Sequence, residues 1–175
     1  MTAMDTDPAS CEGCGFIWAD VSPLAAPERI ATALDRFGDV IEQSGEAALI
    51  RPTDVRWSIV EYAGHLRDAL LSMRERIILA SILDTPMGTP IFREERIALG
   101  FSRLDSPVDV SQELAVAGGL FIKTVMALPD EFEARPLFYS PINTAPTTIG
   151  WVIAQGVHEC EHHLGDVHHN LEGLR

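Results

Sequence analysis

Along most of the chain apolar residues recur at spacings of three and four, the period that lays a single apolar stripe along a helix. Ile30, Leu34, Phe37 and Ile41 follow Pro27 at this spacing and lead to Gly45. A proline suits a first helical turn, where its missing N–H would be unpaired anyway. The run Arg51-Pro52-Thr53-Asp54 breaks the pattern. Ser58 and Glu61 then make a capping box, with Trp57 and Tyr62 beside it in hydrophobic-staple positions. A second helix is predicted to start at Ser58 and to carry Ile59, Ala63, Leu66, Leu70, Met73 and Ile77, until Asp84-Thr85-Pro86 stops it. A third is predicted from about Asp109, with Gln112 at the capping spacing, through Leu114, Leu120, Ile122 and Val125 to Leu128-Pro129; Gly118-Gly119 weakens its middle. The fourth, capped by Thr147 or Thr148, carries Ile149, Ile153, Val157, Cys160, Leu164, Val167 and Leu171.

No period-two alternation competes with these stripes, and packing the four together in an all-α four-helix bundle is the simplest way to bury them. The connection over residues 84–108 is too long for a hairpin turn, so it is read as a crossover holding a short helix over 93–99. Residues 1–23 have no sustained period and contain Pro8, Gly13, Gly15 and Pro23. They are read as an irregular N-terminal segment preceding a bundle over 24–175.

Composition narrows the functional classes. The 175 residues include 13 Lys plus Arg against 26 Asp plus Glu, a net charge of -13, so the surface repels phosphate backbones and anionic headgroups. Nucleic acid and membrane are not expected as partners, which leaves a small-molecule substrate. The first residues have no basic or apolar signal-like region, and the longest uncharged stretch, 136–157, is broken by Pro141 and Pro146. With three cysteines, an odd count, a reducing, cytoplasmic setting is expected.

The chemistry concentrates in His158-Glu159-Cys160-Glu161-His162-His163. Four-residue spacing projects His158 and His162 from one helical face, where two imidazoles can grip one cation. His65, in the second helix, is the one histidine outside the C-terminal stretch 158–169 and the candidate third ligand. Three imidazoles leave a position open for water, as in catalytic divalent sites, and Zn(II) and Ni(II) both suit such a set. The competing reading is a His-rich stretch, continued by His168 and His169, with no metal function. The same letters match the protease string H-E-x-x-H-x-x-G-x-x-H, with Glu159 as its general base, but no methionine follows His168 and no sheet is predicted to carry such a site. Asp68 and Asp166 are candidates to orient histidines. Cys11 and Cys14 form half of a zinc knuckle or a redox pair, which Cys160 or the tail histidines would have to complete.

Trp57-Ser58-x-x-Glu61-x-x-x-His65-x-x-Asp68, together with Thr148-Ile149-Gly150-Trp151 running into His158-x-x-x-His162, resembles the DinB-like superfamily of four-helix-bundle metalloproteins. The resemblance spans about residues 24–172. It implies an up-down-down-up bundle, frequent homodimers, and His65, His158 and His162 as the metal triad. Many relatives place a glycine two residues after the second ligand of the pair; Gly165 lies three after His162, which leaves His163 as a substitute. Relatives with assigned activity use zinc or nickel to activate a low-molecular-weight thiol such as mycothiol or bacillithiol. The expected function is therefore a metal-dependent thiol S-transferase or hydrolase, and the alternative is a bundle that binds or senses a metal or small ligand without turnover.

Overall fold

A computed structural model describes residues 9–173. Its five α-helices are α1 (Ala26–Ser44), α2 (Ile59–Ile82), α3 (Arg93–Leu99), α4 (Pro107–Met126) and α5 (Ile149–Gly173). All but the short α3 form a four-helix bundle. The predicted caps explain most of the boundaries. Glu61 N–H donates to Ser58 Oγ at 3.1 Å, Ser58 N–H donates to Glu61 Oε2 at 2.9 Å, and the Trp57 and Tyr62 rings lie 5.3 Å apart over this box. Thr148 Oγ1 accepts from the Trp151 amide at the start of α5. The third long helix begins earlier than Asp109. Pro107 fits its first turn, which makes Ser106 the cap, with its hydroxyl accepting from the Asp109 amide at 3.1 Å.

Neighbour relations in the bundle do not follow chain order. α1 and α2 each pack against α4 and α5 and face one another across the diagonal. Side-chain pairs fix the directions. Arg29 meets Glu161 and Arg36 meets His168, so α1 and α5 run parallel. His65 meets Glu159 while the carbonyl preceding α2, on Trp57, accepts from Asn170, so α2 runs against α5. Gly38 lies by Ser111 and Gly118 by Leu34, so α4 runs against α1. The result is the up-down-down-up order.

The parallel neighbours α2 and α4 require a long crossover, a second connection leads from α4 to the diagonally opposed α5, and buried Arg76 secures both. Its guanidinium donates to Ser72 Oγ at 2.6 Å, to the Tyr139 carbonyl at 3.0 Å and to the Thr89 carbonyl, and lies 4.5 Å over the Tyr139 ring. It thereby joins α2 to the crossover before α3 and to the loop before α5. That loop also carries a two-residue antiparallel pairing of β1 (Pro136–Leu137) with β2 (Thr147–Thr148). No helix among the described residues is long and apolar enough to cross a membrane.

The glycines expected to weaken the third helix differ in role. At Gly118 a Cβ would lie 2.1 Å from Leu34 Cδ1, so its absence allows close packing on α1; at Gly119 a Cβ would meet nothing. Gly156 on α5 takes the edge of the Phe121 ring, where a Cβ would lie 2.7 Å from Cζ. Gly119→Ala is therefore expected to stabilise the fold by roughly 0.5–1 kcal/mol through helix propensity alone. Gly156→Ala gains the same propensity but forces a rigid, fully buried ring aside, at a cost of about 1–3 kcal/mol, and is expected to lower stability. Urea titration of the two variants checks the opposite signs.

Candidate metal centre

Successive residues on a helix are rotated by about 100°, so the two rows His158/His162 and Glu159/His163 leave α5 on different faces. The second row faces α2. There His65 Nε2 and His163 Nε2 each lie 3.3 Å from the same atom, Glu159 Oε2. Ligand atoms about 2.0–2.2 Å from a tetrahedral zinc ion lie roughly 3.3–3.6 Å from one another. Two imidazole nitrogens and a carboxylate oxygen thus already surround one point. The two histidine side chains are 5 % and 8 % exposed and that of Glu159 16 %, so the point is walled by protein without being sealed.

Each group is held from behind. His163 Nδ1 donates to Asp166 Oδ2 at 2.8 Å, the carboxylate–histidine pairing that fixes a ligand's tautomer and orientation. Glu159 Oε1 accepts from Gln155 Nε2 at 2.7 Å, and Gln155 Oε1 accepts from Trp18 Nε1 at 2.7 Å. Trp57 sets its ring edge-on to His65 at 5.4 Å, and Tyr62 lies 5.4 Å from the His163 ring. Trp151 lies farther out, against Trp18 and Tyr139.

The electrostatics of these groups follow from their contacts. Burial opposes charge on His163, but its hydrogen bonds to Asp166 and Glu159 outweigh it and raise the pKa to about 9. Burial likewise opposes charge on Glu159, yet hydrogen bonds from His163 and His65 hold its carboxyl well below the ordinary range. At neutral pH the site is an imidazolium–carboxylate pair, and His163 must lose its Nε2 proton before that nitrogen can bind a cation.

The structure divides the three histidines expected to act together. His65 joins Glu159 and His163, whereas His158 and His162 face Cys11 and Cys14 of the N-terminal segment. The i, i+4 projection holds for both rows, but the row facing α2 starts one residue later. The position of Gly165, two residues after His163, carried that register in the sequence. The protease string gives Glu159 the part of a base, and the row Glu159/His163, with one carboxylate and one imidazole, lacks the signature of paired histidines. Of the two aspartates, Asp166 orients a histidine, while Asp68 pairs with Arg67 and Arg96. Glu61 is engaged by the cap and by Arg51.

Two outcomes follow. Zinc binding at this centre should release about one proton at pH 7, seen as a buffer-dependent heat in calorimetry, and the apparent affinity should rise about tenfold per pH unit until it levels near pH 9. Asp166→Asn should weaken zinc binding roughly 10–100-fold with the fold intact, as a chelator competition would read.

A search of curated proteins finds no match to the chain. Among solved structures it resembles YfiT from Bacillus subtilis, described as a probable metal-dependent hydrolase with an unusual four-helix bundle topology. The two superpose with a TM-score of 0.71 at 18% identity, over 94% of this chain and 91% of that one, which is a likeness of fold. The family comparison covers residues 25–167, from the first turn of α1 through both rows of ligand-type side chains on α5, and by that match the chain belongs to the DinB superfamily.

Proposed function

We propose that this protein is a metal-dependent hydrolase in which His65, Glu159 and His163 hold one divalent cation. The observation that carries this reading is the convergence of two imidazole nitrogens on one carboxylate oxygen at 3.3 Å, with Asp166 and Gln155 engaging the outward atoms of His163 and Glu159. Two histidines with one glutamate is a donor set of hydrolytic zinc enzymes and leaves a coordination position open. A cation bound there would lower the pKa of a coordinated water and polarise a substrate carbonyl.

The remaining tasks fall to the chain's own groups. Asp166 keeps the Nδ1 proton of His163, so that Nε2 is the nitrogen offered for coordination. Gln155 occupies Oε1 of Glu159 and thereby aims Oε2 at the centre. The rings of Trp57 and Tyr62 pack against the two histidines and limit access of bulk water, which strengthens electrostatic interactions within the site. The likeness to YfiT supports the hydrolytic form of the reading, and the superfamily resemblance supports its thiol-transfer form.

The test uses the full chain, stripped and reloaded separately with zinc, nickel or manganese. Activated esters and amides are offered alone, and electrophiles are offered with low-molecular-weight thiols. Hydrolysis is expected to require metal and to fall in His65→Ala and Glu159→Gln by more than the roughly 10–100-fold typical of outer-shell changes. Conjugation of thiols without hydrolysis would reassign the centre to S-transfer. Turnover indifferent to both variants would remove these residues from the chemistry, and no turnover with any metal would leave a binding module.

A further inference from the structure

The other row on α5 forms a second, separate cluster. Cys11, Cys14, His158 and His162 bring two sulfurs and two imidazoles together so that one ligand-type atom from each lies within 4.8 Å of all the others. Cys11 Sγ is 3.7 Å from His162 Nδ1, close to the roughly 3.5 Å separating sulfur and nitrogen on a tetrahedral zinc ion. We propose that these four side chains form a closed Cys2His2 zinc site that fastens the N-terminal segment to α5, distinct from the His65–Glu159–His163 centre.

Three further observations support it. Both ring nitrogens of His158 are buried and have no hydrogen-bond partner, although the ring lies among Phe16 at 5.0 Å, Trp18 at 4.8 Å and His162 at 5.1 Å. Buried imidazoles ordinarily find partners, and coordination would engage one of these nitrogens. The cysteines sit in a knuckle shaped for metal. Cys11 N–H donates to the Phe16 carbonyl and Gly15 N–H to the Cys11 carbonyl, both at 2.8 Å, with Gly15 at φ +73°, a turn that draws the two cysteines together. Gly13 lies against the His162 ring, where a Cβ would come within 3.2 Å of Cε1, so the knuckle is seated on its histidine.

The donor set indicates the ion and its role. Two thiolates and two imidazoles fill a tetrahedron and leave no open position, which is the composition of structural zinc sites. The ligands come from segments about 150 residues apart, so the ion would cross-link chain ends that otherwise meet through Phe16, Trp18 and the Trp18–Gln155 hydrogen bond. Gln155 is the residue that holds Glu159. His162 also approaches Asp166 through Nε2 at 3.8 Å, and Asp166 holds His163. The zinc site thus lies behind the candidate catalytic centre and supports it through two contacts.

Metal analysis of the untagged full chain, purified reduced and with zinc supplied, is expected to give about two equivalents per chain. Cys11→Ser and Cys14→Ser should each lose about one, while Glu159→Gln should lose the other and keep the thiolate-bound ion. The wild-type chain loaded with cobalt(II) gives a readout that needs no variant: a thiolate-to-cobalt charge-transfer band with intense tetrahedral ligand-field bands, unchanged in Glu159→Gln. Alkylation of Cys11 and Cys14 should be slow with zinc bound and fast after chelation. A cobalt chain without the thiolate band, cysteine variants that keep full metal content, or a Cys11–Cys14 disulfide with metal content unaltered would each overturn the proposal. A wild-type chain that holds the thiolate-bound equivalent and no other would count against the catalytic centre and leave this site standing.

Discussion

A carboxylate withdrawn from water must be compensated where it lies, and Glu159 is compensated by groups that the whole bundle has to supply. His65 comes from α2, His163 from the next turn of α5, and Gln155 from the turn before. Each is effective only in its observed position. The Ser58–Glu61 box fixes where α2 begins and hence which turn carries His65, while Asp166 fixes the His163 ring. Trp18, outside the bundle proper, completes the set by holding Gln155. Capping, the order of the helices and the docking of the N-terminal segment are therefore all conditions on one charge.

The apolar stripe of α5 fills the interior with Ile149, Ile153, Val157, Cys160, Leu164 and Val167. On its flanks the helix carries two rows of metal-binding residue types about 100° apart. Cys160 between them is fully enclosed, and burial pushes its thiol far up, so it serves as packing and not as a ligand. Adjacent positions in sequence can thus serve separate centres, because on a helix one residue is a change of face.

Much of this was legible in the sequence. The four stripes, the capping box, the crossover and its short helix stand where apolar period and turn residues put them, because those signals are local. Register across helices was less legible. Which row of α5 meets α2 depends on how the two apolar stripes pack, a property of helices 94 residues apart at the His65–Glu159 contact. The expected trio of His65, His158 and His162 rests on identity of residue type, whereas the fold sets side chains together by helical face, His65 beside Glu159 and His163. Cys11 and Cys14 were legible as half a site, but their partners lie on an element whose roll only the packed bundle determines.

The up-down-down-up order has a consequence for assembly. Because α1 and α2 stand on opposite corners, they cannot form a helical hairpin that is stable by itself, and each waits for α4 and α5 to cover it. Both clusters of ligand-type residues draw on α5, which follows every other helix in the chain. During synthesis from the N-terminus, Cys11, Cys14 and His65 therefore emerge long before the side chains that would complete their sites. Neither cluster could close on a cation until α5 docks, so metal uptake at the proposed sites would belong to the last stage of folding and would mark a chain whose bundle is complete.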